Sequence, residues 1–215
     1  MQKLTLAVIQ HHTAEGAGRI TDWANIYGHQ LIHFMAPNNE LPNLTNVDGL
    51  IILGGPMDVV ENPRWMQAEI VLIKQAVHAN MPIIGICLGA QLLASTLGAK
   101  LLALPQAELG WLPIKQADNQ VMQVPQWHYQ GFKFCNSEVS ITASSTAWPQ
   151  QMFVHQRQVG LQFHPEWNAE QIQQLQHAFG EDSPFDVNNE KDKLIQSSQK
   201  ELEEWFFHLL DSTFK

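Results

Sequence analysis

The stretch PIIGICLGAQLLA (residues 82–94) carries most of the information about the fold. Its first part, residues 82–86, is short and apolar, which predicts a buried strand. The residues that follow predict a helix, and Gly98 marks its end. Cys87 lies at the junction, with a glycine two residues away on each side. This spacing is typical of a tight strand–turn–helix elbow, here with cysteine at the position that serine occupies in the better-known form.

The two flanking glycines have a physical reason. In so tight a turn, side chains at Gly85 and Gly89 would collide with each other and with the elbow backbone, so both must be absent. The elbow also places the Cys87 sulfur at a helix N-terminus, where free N–H groups and the helix dipole favour a thiolate. The amide of Leu88 could donate to an oxyanion. The alternative is that Cys87 is a buried, unreactive side chain, and the elbow by itself leaves both interpretations open.

The segments before the elbow predict an α/β fold. Apolar strands are predicted at 4–10, 30–34 and 48–55, with helices at 18–29 and after Asn62-Pro63. Alternation of strands and helices predicts a mostly parallel open sheet with helices on both faces. The chain is long enough for one domain, and we expect a single domain over residues 1–215.

The segments after residue 100 have a different pattern. Short apolar runs between 100 and 163 predict a small antiparallel patch, and residues 159–165 predict a further strand. Asn168 and Gln171 resemble a capping box that opens a helix. A last helix is expected at about residues 188–212, appended to the domain. Its apolar face, which includes Ile195, is expected to pack on the sheet, although a homodimer surface is the alternative.

Composition restricts the partners and the compartment. The formal charge is −9 and no Lys/Arg cluster occurs, which argues against nucleic acid as a partner. The sequence has no recognisable secretory signal and no apolar run of membrane-spanning length, so we expect no membrane association. The two cysteines, Cys87 and Cys135, are too few for a disulfide scaffold. We therefore expect a cytoplasmic protein with free thiols.

Two further motifs supply possible partners for Cys87. In GLQFHPEW (residues 160–167), His164 ends an apolar strand and Glu166 lies two residues on, within reach of the imidazole if the segment is extended. A thiol nucleophile requires such a base, oriented by a third group. A strand-end histidine beside a solvated glutamate is the alternative. In LGGPMDV (residues 53–59), the glycine pair could supply a second oxyanion donor or could be an ordinary turn.

These motifs occur in the order GGPMDV, GICLGAQ, ELGW, QWHYQGF and GLQFHPEW. With that order and spacing the sequence resembles a class I (triad-type) glutamine amidotransferase. It is most similar to the glutaminase domain of GMP synthetase and its stand-alone relatives. The resemblance extends over roughly residues 4–175 and implies a flavodoxin-like α/β fold.

The resemblance implies a chemistry for each motif. Cys87 would attack the side-chain amide of glutamine, His164 would carry the thiol proton to the departing ammonia, and Glu166 would orient His164. The amides of Gly55 and Leu88 would hold the oxyanion, and water would then release glutamate from the thioester. The expected substrate-binding residues are Gly54, Gln91, Trp127, His128 and Tyr129. No cofactor and no metal is expected.

Two departures from the family pattern leave the substrate and the partner open. Tyr129 stands where relatives often carry glycine beside the substrate, so a γ-glutamyl amide or peptide is an alternative to glutamine. No Gly-rich ATP-binding loop occurs in the sequence, so an ammonia acceptor would be a separate synthetase chain. A catalytically silent regulatory relative is a third hypothesis.

Several other residues have weaker expectations attached to them. His11 and His12 follow the first strand and could line the rim of a cleft, whereas His29 and His33 lack partners at metal-binding spacing. Cys135 has no flanking glycines and is interpreted as structural. The tryptophans in the motif segments are candidates for a pocket wall: Trp111, Trp127 and Trp167.

Overall fold

The computed structural model describes residues 2–135, 138–186 and 199–215. In these segments nine strands form one sheet in the order β2-β1-β3-β4-β9-β8-β7-β5-β6. The strands are β1 Thr5–Gln10, β2 Gln30–Met35, β3 Gly49–Ile52, β4 Ile83–Ile86, β5 Lys100–Gln116, β6 Val121–Lys133, β7 Ser140–Ser144, β8 Met152–His155 and β9 Gln158–Leu161. The α-helices are α1 Arg19–Tyr27, α2 Arg64–His78, α3 Leu88–Thr96, α4 Ala169–Phe179 and α5 Lys200–Phe214.

The first five strands of that order are parallel, and helices cover both of their faces. Alternate residues of β1 point to opposite sides: Leu6 packs with α1 and α5, whereas Ala7 packs with α2 and α3. Strands β3 and β4 are buried along their whole length, as expected for strands covered on both faces. The predicted α/β class with an open sheet is therefore confirmed. Because these strands are parallel, their carboxyl ends meet at one edge of the sheet.

The antiparallel part is larger than the sequence predicts. Four neighbouring pairs are parallel, and the other four, from β9–β8 to β5–β6, are antiparallel. The description as mostly parallel with a small antiparallel patch is therefore only partly right. The short runs expected after residue 100 are parts of a long β5–β6 hairpin with an irregular register between Ala103 and Glu108. Prolines and outward-facing polar residues interrupt the apolar pattern of both strands, and this divides one hairpin into apparent fragments.

The last helix packs against the sheet. Leu202, Phe206 and Leu210 of α5 belong to the same buried cluster as the inner residues of β1, β3 and β4. The apolar face that could have formed a dimer surface is thus covered within the chain. The first part of the predicted helix, with Ile195, lies outside the described residues. Among the described helices, none has the length and apolar character needed to span a bilayer.

Candidate active site

The elbow adopts the strained geometry that its glycines predict. Cys87 lies between β4 and α3 with φ of 49° and ψ of −107°, in the positive-φ region that non-glycine residues seldom adopt. A Cβ atom at Gly85 would lie 2.6 Å from the carbonyl oxygen of Gly89, as expected. A Cβ atom at Gly89 would instead meet the carbonyl oxygen of Ile52, at 2.1 Å. The second glycine is therefore required by the neighbouring strand β3 as well as by the turn.

The sulfur of Cys87 has polar neighbours on β6 and after β9. Nε2 of Gln162 donates to Sγ over 3.7 Å, and Sγ lies 3.9 Å from the carbonyl oxygen of Trp127. The Cys87 side chain is nearly buried. Gln162 was not predicted, although it lies in the GLQFHPEW motif two residues before His164.

His164 and Glu166 form a buried pair. Nδ1 of His164 lies 2.7 Å from Oε1 of Glu166, and both side chains are almost inaccessible to solvent. The sequence analysis expected an extended segment to bring Glu166 to the imidazole, but the structure shows a different local conformation. Strand β9 already ends at Leu161, and residues 164–167 form a turn in which the amide of Trp167 approaches the carbonyl oxygen of His164 at 3.4 Å. The turn, rather than an extended segment, brings the carboxylate to the imidazole.

One face of the His164 ring packs against Trp167. The two rings stack with their centroids 3.5 Å apart and their planes 12° apart. Helix α1 secures the turn, because the amide of Arg19 donates to the carbonyl oxygen of Glu166 over 2.8 Å. The imidazole therefore has a fixed position, with Nδ1 directed to the carboxylate.

The environment of His164 favours the imidazolium form. Burial on its own lowers the pKa of His164, because it removes water from the charged ring. The charges of Glu166 and Cys87, together with hydrogen bonds to both side chains, outweigh burial and raise this pKa from 6.5 to about 10. At neutral pH the ring therefore carries a proton that it can give up to a more basic group.

The glycine pair after β3 lies beside the elbow. A Cβ atom at Gly54 would lie 2.8 Å from Cε1 of His164 and 3.6 Å from the Cβ of Cys87. A Cβ atom at Gly55 would lie 2.9 Å from Leu88. The backbone of Gly54 thus lies against His164 and Cys87, and that of Gly55 lies against Leu88. A side chain would not fit at either position, so both must be glycine.

His11 and Glu69 support this loop from behind. Nδ1 of His11 lies 2.9 Å from the carbonyl oxygen of Gly54, and Nε2 lies 3.0 Å from Oε2 of Glu69. Both side chains are buried completely, and they were not assigned to the site from sequence. Burial alone lowers the pKa of His11, but the Glu69 carboxylate outweighs it and raises this pKa above 6.5. His11 is thus a buried support and not the rim residue that the sequence suggested.

A cavity of about 430 Å³ opens at this edge of the sheet, within the range of small-molecule sites. Among the described residues, its lining comprises Glu15, Gly55, Pro56, Met57, Asp58, Cys87, Leu88, Gln91, Trp127, His128, Tyr129, Gln130, His164, Trp167, Phe179 and Asp182. The cavity thus brings together Cys87, His164, Gly55 and Leu88. Gly54 lies behind the lining, and Trp111 packs on Phe185 instead.

Three of the expected substrate-binding side chains differ in how free they are to contact a substrate. Nε2 of Gln91 donates to the carbonyl oxygen of Gln130 over 3.3 Å and approaches Oε1 of Gln162 at 3.4 Å, so this nitrogen already has protein partners. His128 lies in a buried network, 3.3 Å from Glu108. Tyr129 is 59% exposed and stands at the mouth of the cavity.

Glu15 is a lining residue that the sequence analysis missed. It lies in the loop after β1, and its side chain is buried beside Gly54. Burial and the nearby Glu166 raise the pKa of Glu15, while His164 and His11 lower it, with a net rise from 4.5 to about 7. Nothing in the local sequence distinguishes Glu15 from a solvated loop residue, so only its place in the fold reveals it.

The remaining candidates lie away from the cavity or in its outer wall. His12 packs against Phe179, and His29 accepts a hydrogen bond from the amide of Leu4 over 3.2 Å. Cys135 is exposed and does not line the cavity. Within the described part of the chain, no three His, Cys, Asp or Glu side chains are grouped so that they could hold a metal ion.

Comparison with known proteins places the chain in a family. The family model for glutamine amidotransferase class I matches residues 27–182. The glutamine amidotransferase-like protein YfeJ of Salmonella typhimurium is 29% identical over 194 residues, which cover 79% of each chain. One subunit of the glutamine-hydrolysing GMP synthase of Picrophilus torridus is 28% identical over 159 residues, 68% of this chain and 82% of that one.

Comparison with solved structures shows a shared fold. A glutamine amidotransferase from Thermotoga maritima superposes over the full length of both chains with a TM-score of 0.87, at 24% identity, a likeness that concerns the fold. The resemblance inferred from the motifs is therefore confirmed. This chain belongs to the class I glutamine amidotransferase family.

Proposed function

We propose that the chain hydrolyses the side-chain amide of glutamine through a γ-glutamyl thioester on Cys87, releasing ammonia and glutamate. The observation that carries this proposal is the buried His164–Glu166 pair, whose histidine lines the same cavity as the cysteine of the elbow. A thiol, a base and an orienting carboxylate are the groups that nucleophilic acyl transfer requires.

The proposed reaction has two stages. The Cys87 thiolate attacks the amide carbon, and the oxyanion that forms accepts hydrogen bonds from the amides of Gly55 and Leu88. Each such donor contributes about 3 kcal/mol in comparable sites. The imidazolium of His164 then protonates the departing nitrogen as the carbon–nitrogen bond breaks, and ammonia leaves. In the second stage His164 takes a proton from water, whose oxygen attacks the thioester and releases glutamate.

Glu166 acts through His164 in this scheme. Its carboxylate keeps Nδ1 protonated, so the opposite nitrogen can exchange protons with the sulfur and the leaving group. Trp127, His128 and Tyr129 would form the wall that holds the amino-acid end of the substrate, with Gln91 and Gly54 shaping the cavity. The ammonia acceptor would be a separate synthetase chain, in keeping with a relative that is named as one subunit of a GMP synthase. A cytoplasmic location and a homodimer stay predictions.

The test is ammonia release from L-glutamine by the purified chain, beside Cys87→Ala. We expect release by the unaltered chain and at least a thousandfold loss in the variant, since removal of the nucleophile leaves only the surrounding polar groups. Cys135→Ala is the matched control, because that thiol is exposed and lies outside the cavity. Equal ammonia release by Cys87→Ala and the unaltered chain would rule the proposal out.

One observation favours a second candidate, a hydrolase of γ-glutamyl amides other than free glutamine. The described lining of the cavity contains three carboxylates, those of Glu15, Asp58 and Asp182, and no lysine or arginine. Apart from the His164 imidazolium, the α-carboxylate of free glutamine would therefore meet no cationic side chain in this lining. A γ-glutamyl amide that carries an amino group on its far end would suit the negative charge better.

A substrate panel separates the two candidates. The specificity constant kcat/KM for L-glutamine is compared with that for γ-glutamyl amides of a neutral amine and of a diamine. A preference for glutamine supports the amidotransferase-type glutaminase. A preference of tenfold or more for the diamine amide, reduced in Asp58→Asn, would support the second candidate.

A further inference from the structure

Glu15 is a buried carboxylate that the proposed reaction does not yet use. It lies in the loop after β1, is only 8% exposed and lines the cavity that contains Cys87 and His164. Its Oε2 atom would be 2.6 Å from a Cβ atom placed on Gly54, and Cε1 of His164 would be 2.8 Å from that same atom. The glutamate and the imidazole thus border the same small space above the glycine.

The carboxylate of Glu15 faces the cavity without a protein partner among the described residues. In the described part of the chain, no hydrogen bond or ion pair engages its carboxylate. The other buried acids at this edge differ, because Glu69 contacts His11 and Glu166 contacts His164. Burying a carboxylate without partners is costly, so a residue of this kind indicates a ligand that supplies the missing donors.

The reacting amide supplies such donors at this place. In the proposed reaction the leaving nitrogen must approach His164, because His164 protonates it. Glu15 and His164 both line the cavity, and both approach the position that a Cβ atom of Gly54 would take, so a nitrogen bound in the cavity against the imidazole also comes near the carboxylate. A primary amide offers two N–H groups on that nitrogen, and the charge that develops during its protonation strengthens a hydrogen bond to an anion.

We propose that Glu15 accepts an N–H hydrogen bond from the scissile amide nitrogen and is a specificity-determining residue for amide over ester substrates. This inference rests on the proposed function. The proton still passes from His164 to the nitrogen, the carbon–nitrogen bond breaks, and ammonia leaves. Glu15 gains no proton in the step and only stabilises the N–H groups as positive charge develops. Above about pH 7, where Glu15 is ionised, an ester, which has no N–H at its leaving atom, would meet only the negative charge of Glu15.

The experiment compares two substrates that differ at that atom, L-glutamine and the γ-methyl ester of glutamate. In Glu15→Met, which removes the acceptor at similar size, we expect kcat/KM for glutamine to fall about tenfold or more. The kcat/KM of this variant for the ester should stay within about twofold of that of the unaltered chain, or rise. Glu15→Gln, which retains a weaker acceptor, should give an intermediate loss on the amide alone. Glu170→Gln is the control, because that acid is exposed on α4.

Other outcomes have separate meanings. Equal losses on both substrates would overturn the inference, because a structural role, or a contact with the α-ammonium group, affects both alike. An unchanged amide rate would overturn it as well. If the unaltered chain hydrolyses neither substrate, the proposed function itself fails and the inference fails with it. The alkylation rate of Cys87 by iodoacetamide verifies in each variant that the elbow is intact.

Discussion

Nδ1 of His11 lies 2.9 Å from the carbonyl oxygen of Gly54, and its other ring nitrogen contacts the Glu69 carboxylate. A carbonyl oxygen can only accept, so Nδ1 donates to Gly54, while the Glu69 carboxylate beside Nε2 outweighs burial and raises the pKa of the ring. A planar trans peptide directs its carbonyl and its amide to opposite sides. By fixing the Gly54 carbonyl, His11 therefore fixes the direction of the Gly55 amide, our proposed oxyanion donor.

His11→Gln should accordingly reduce glutamine hydrolysis more than the reactivity of the thiol. We expect kcat to fall about tenfold to a hundredfold, because one oxyanion donor loses its orientation. Alkylation of Cys87 by iodoacetamide, which forms no oxyanion, should be unchanged. His33→Gln is the matched control, since His33 is exposed and contacts only Gln10 over 2.8 Å among the described residues. Parallel losses of hydrolysis and alkylation would contradict this role.

The raised pKa of His164 predicts how its contribution to stability depends on pH. The folded protein binds the imidazole proton up to a pKa of about 10, against 6.5 as the ordinary value. The folded state therefore gains stability from this proton fully below pH 6.5 and loses it as the pH rises through about 10. Urea unfolding of the unaltered chain and of His164→Gln should show a stability difference that narrows over this interval. A difference that is constant with pH would contradict the assignment.

Glu15→Gln should stabilise the chain at alkaline pH. The folded-state pKa of Glu15 is raised from 4.5 to about 7, so folding favours the protonated acid, and stability is lost as the pH rises from 4.5 through 7. The glutamine variant does not ionise and escapes this loss. We expect its free energy of unfolding to exceed that of the unaltered chain at pH 8 by at most about 3 kcal/mol. The free energies of unfolding of the variant and the unaltered chain should converge near pH 4. A variant that is less stable than the unaltered chain at pH 8 would contradict the prediction.

The elbow glycines should tolerate no side chain. In Gly89→Ala, the added Cβ atom would lie 2.1 Å from the carbonyl oxygen of Ile52, a backbone atom that cannot move without shifting β3. We expect a loss of about 3 kcal/mol in the free energy of unfolding and slower alkylation of Cys87. Gly98→Ala is the control: it faces open space at φ of 88° and should cost about 1 kcal/mol through backbone strain alone. Similar losses in both variants would argue against the steric role of Gly89.

The sequence predicted those parts of the site that depend on local geometry. The elbow could be inferred because glycines two residues on each side of Cys87 have a steric cause within a few residues of chain. The His164–Glu166 contact could be inferred because the two residues lie close in sequence, although a turn and not a strand joins them. The parallel strands were recognised because strands covered on both faces are continuously apolar.

The parts that were missed depend on contacts between distant segments. His11 contacts Glu69 only because α2 packs on the face of the sheet that contains β1. Glu15 reaches the cavity only because its loop folds over Gly54. The long hairpin was read as fragments because a solvent-facing antiparallel ladder with prolines has no continuous apolar pattern. Contacts of this kind between distant segments depend on tertiary packing, which cannot be inferred from a short stretch of sequence.

The most direct test of the proposed reaction labels the nucleophile with a diazoketone analogue of glutamine. We predict that one equivalent abolishes ammonia release, that mass spectrometry locates the adduct on the peptide containing Cys87, and that glutamine protects against it. The same analogue should leave Cys87→Ala unlabelled. Inactivation with the adduct on another residue, or full activity after Cys87 is labelled, would contradict the central claim that Cys87 forms the thioester.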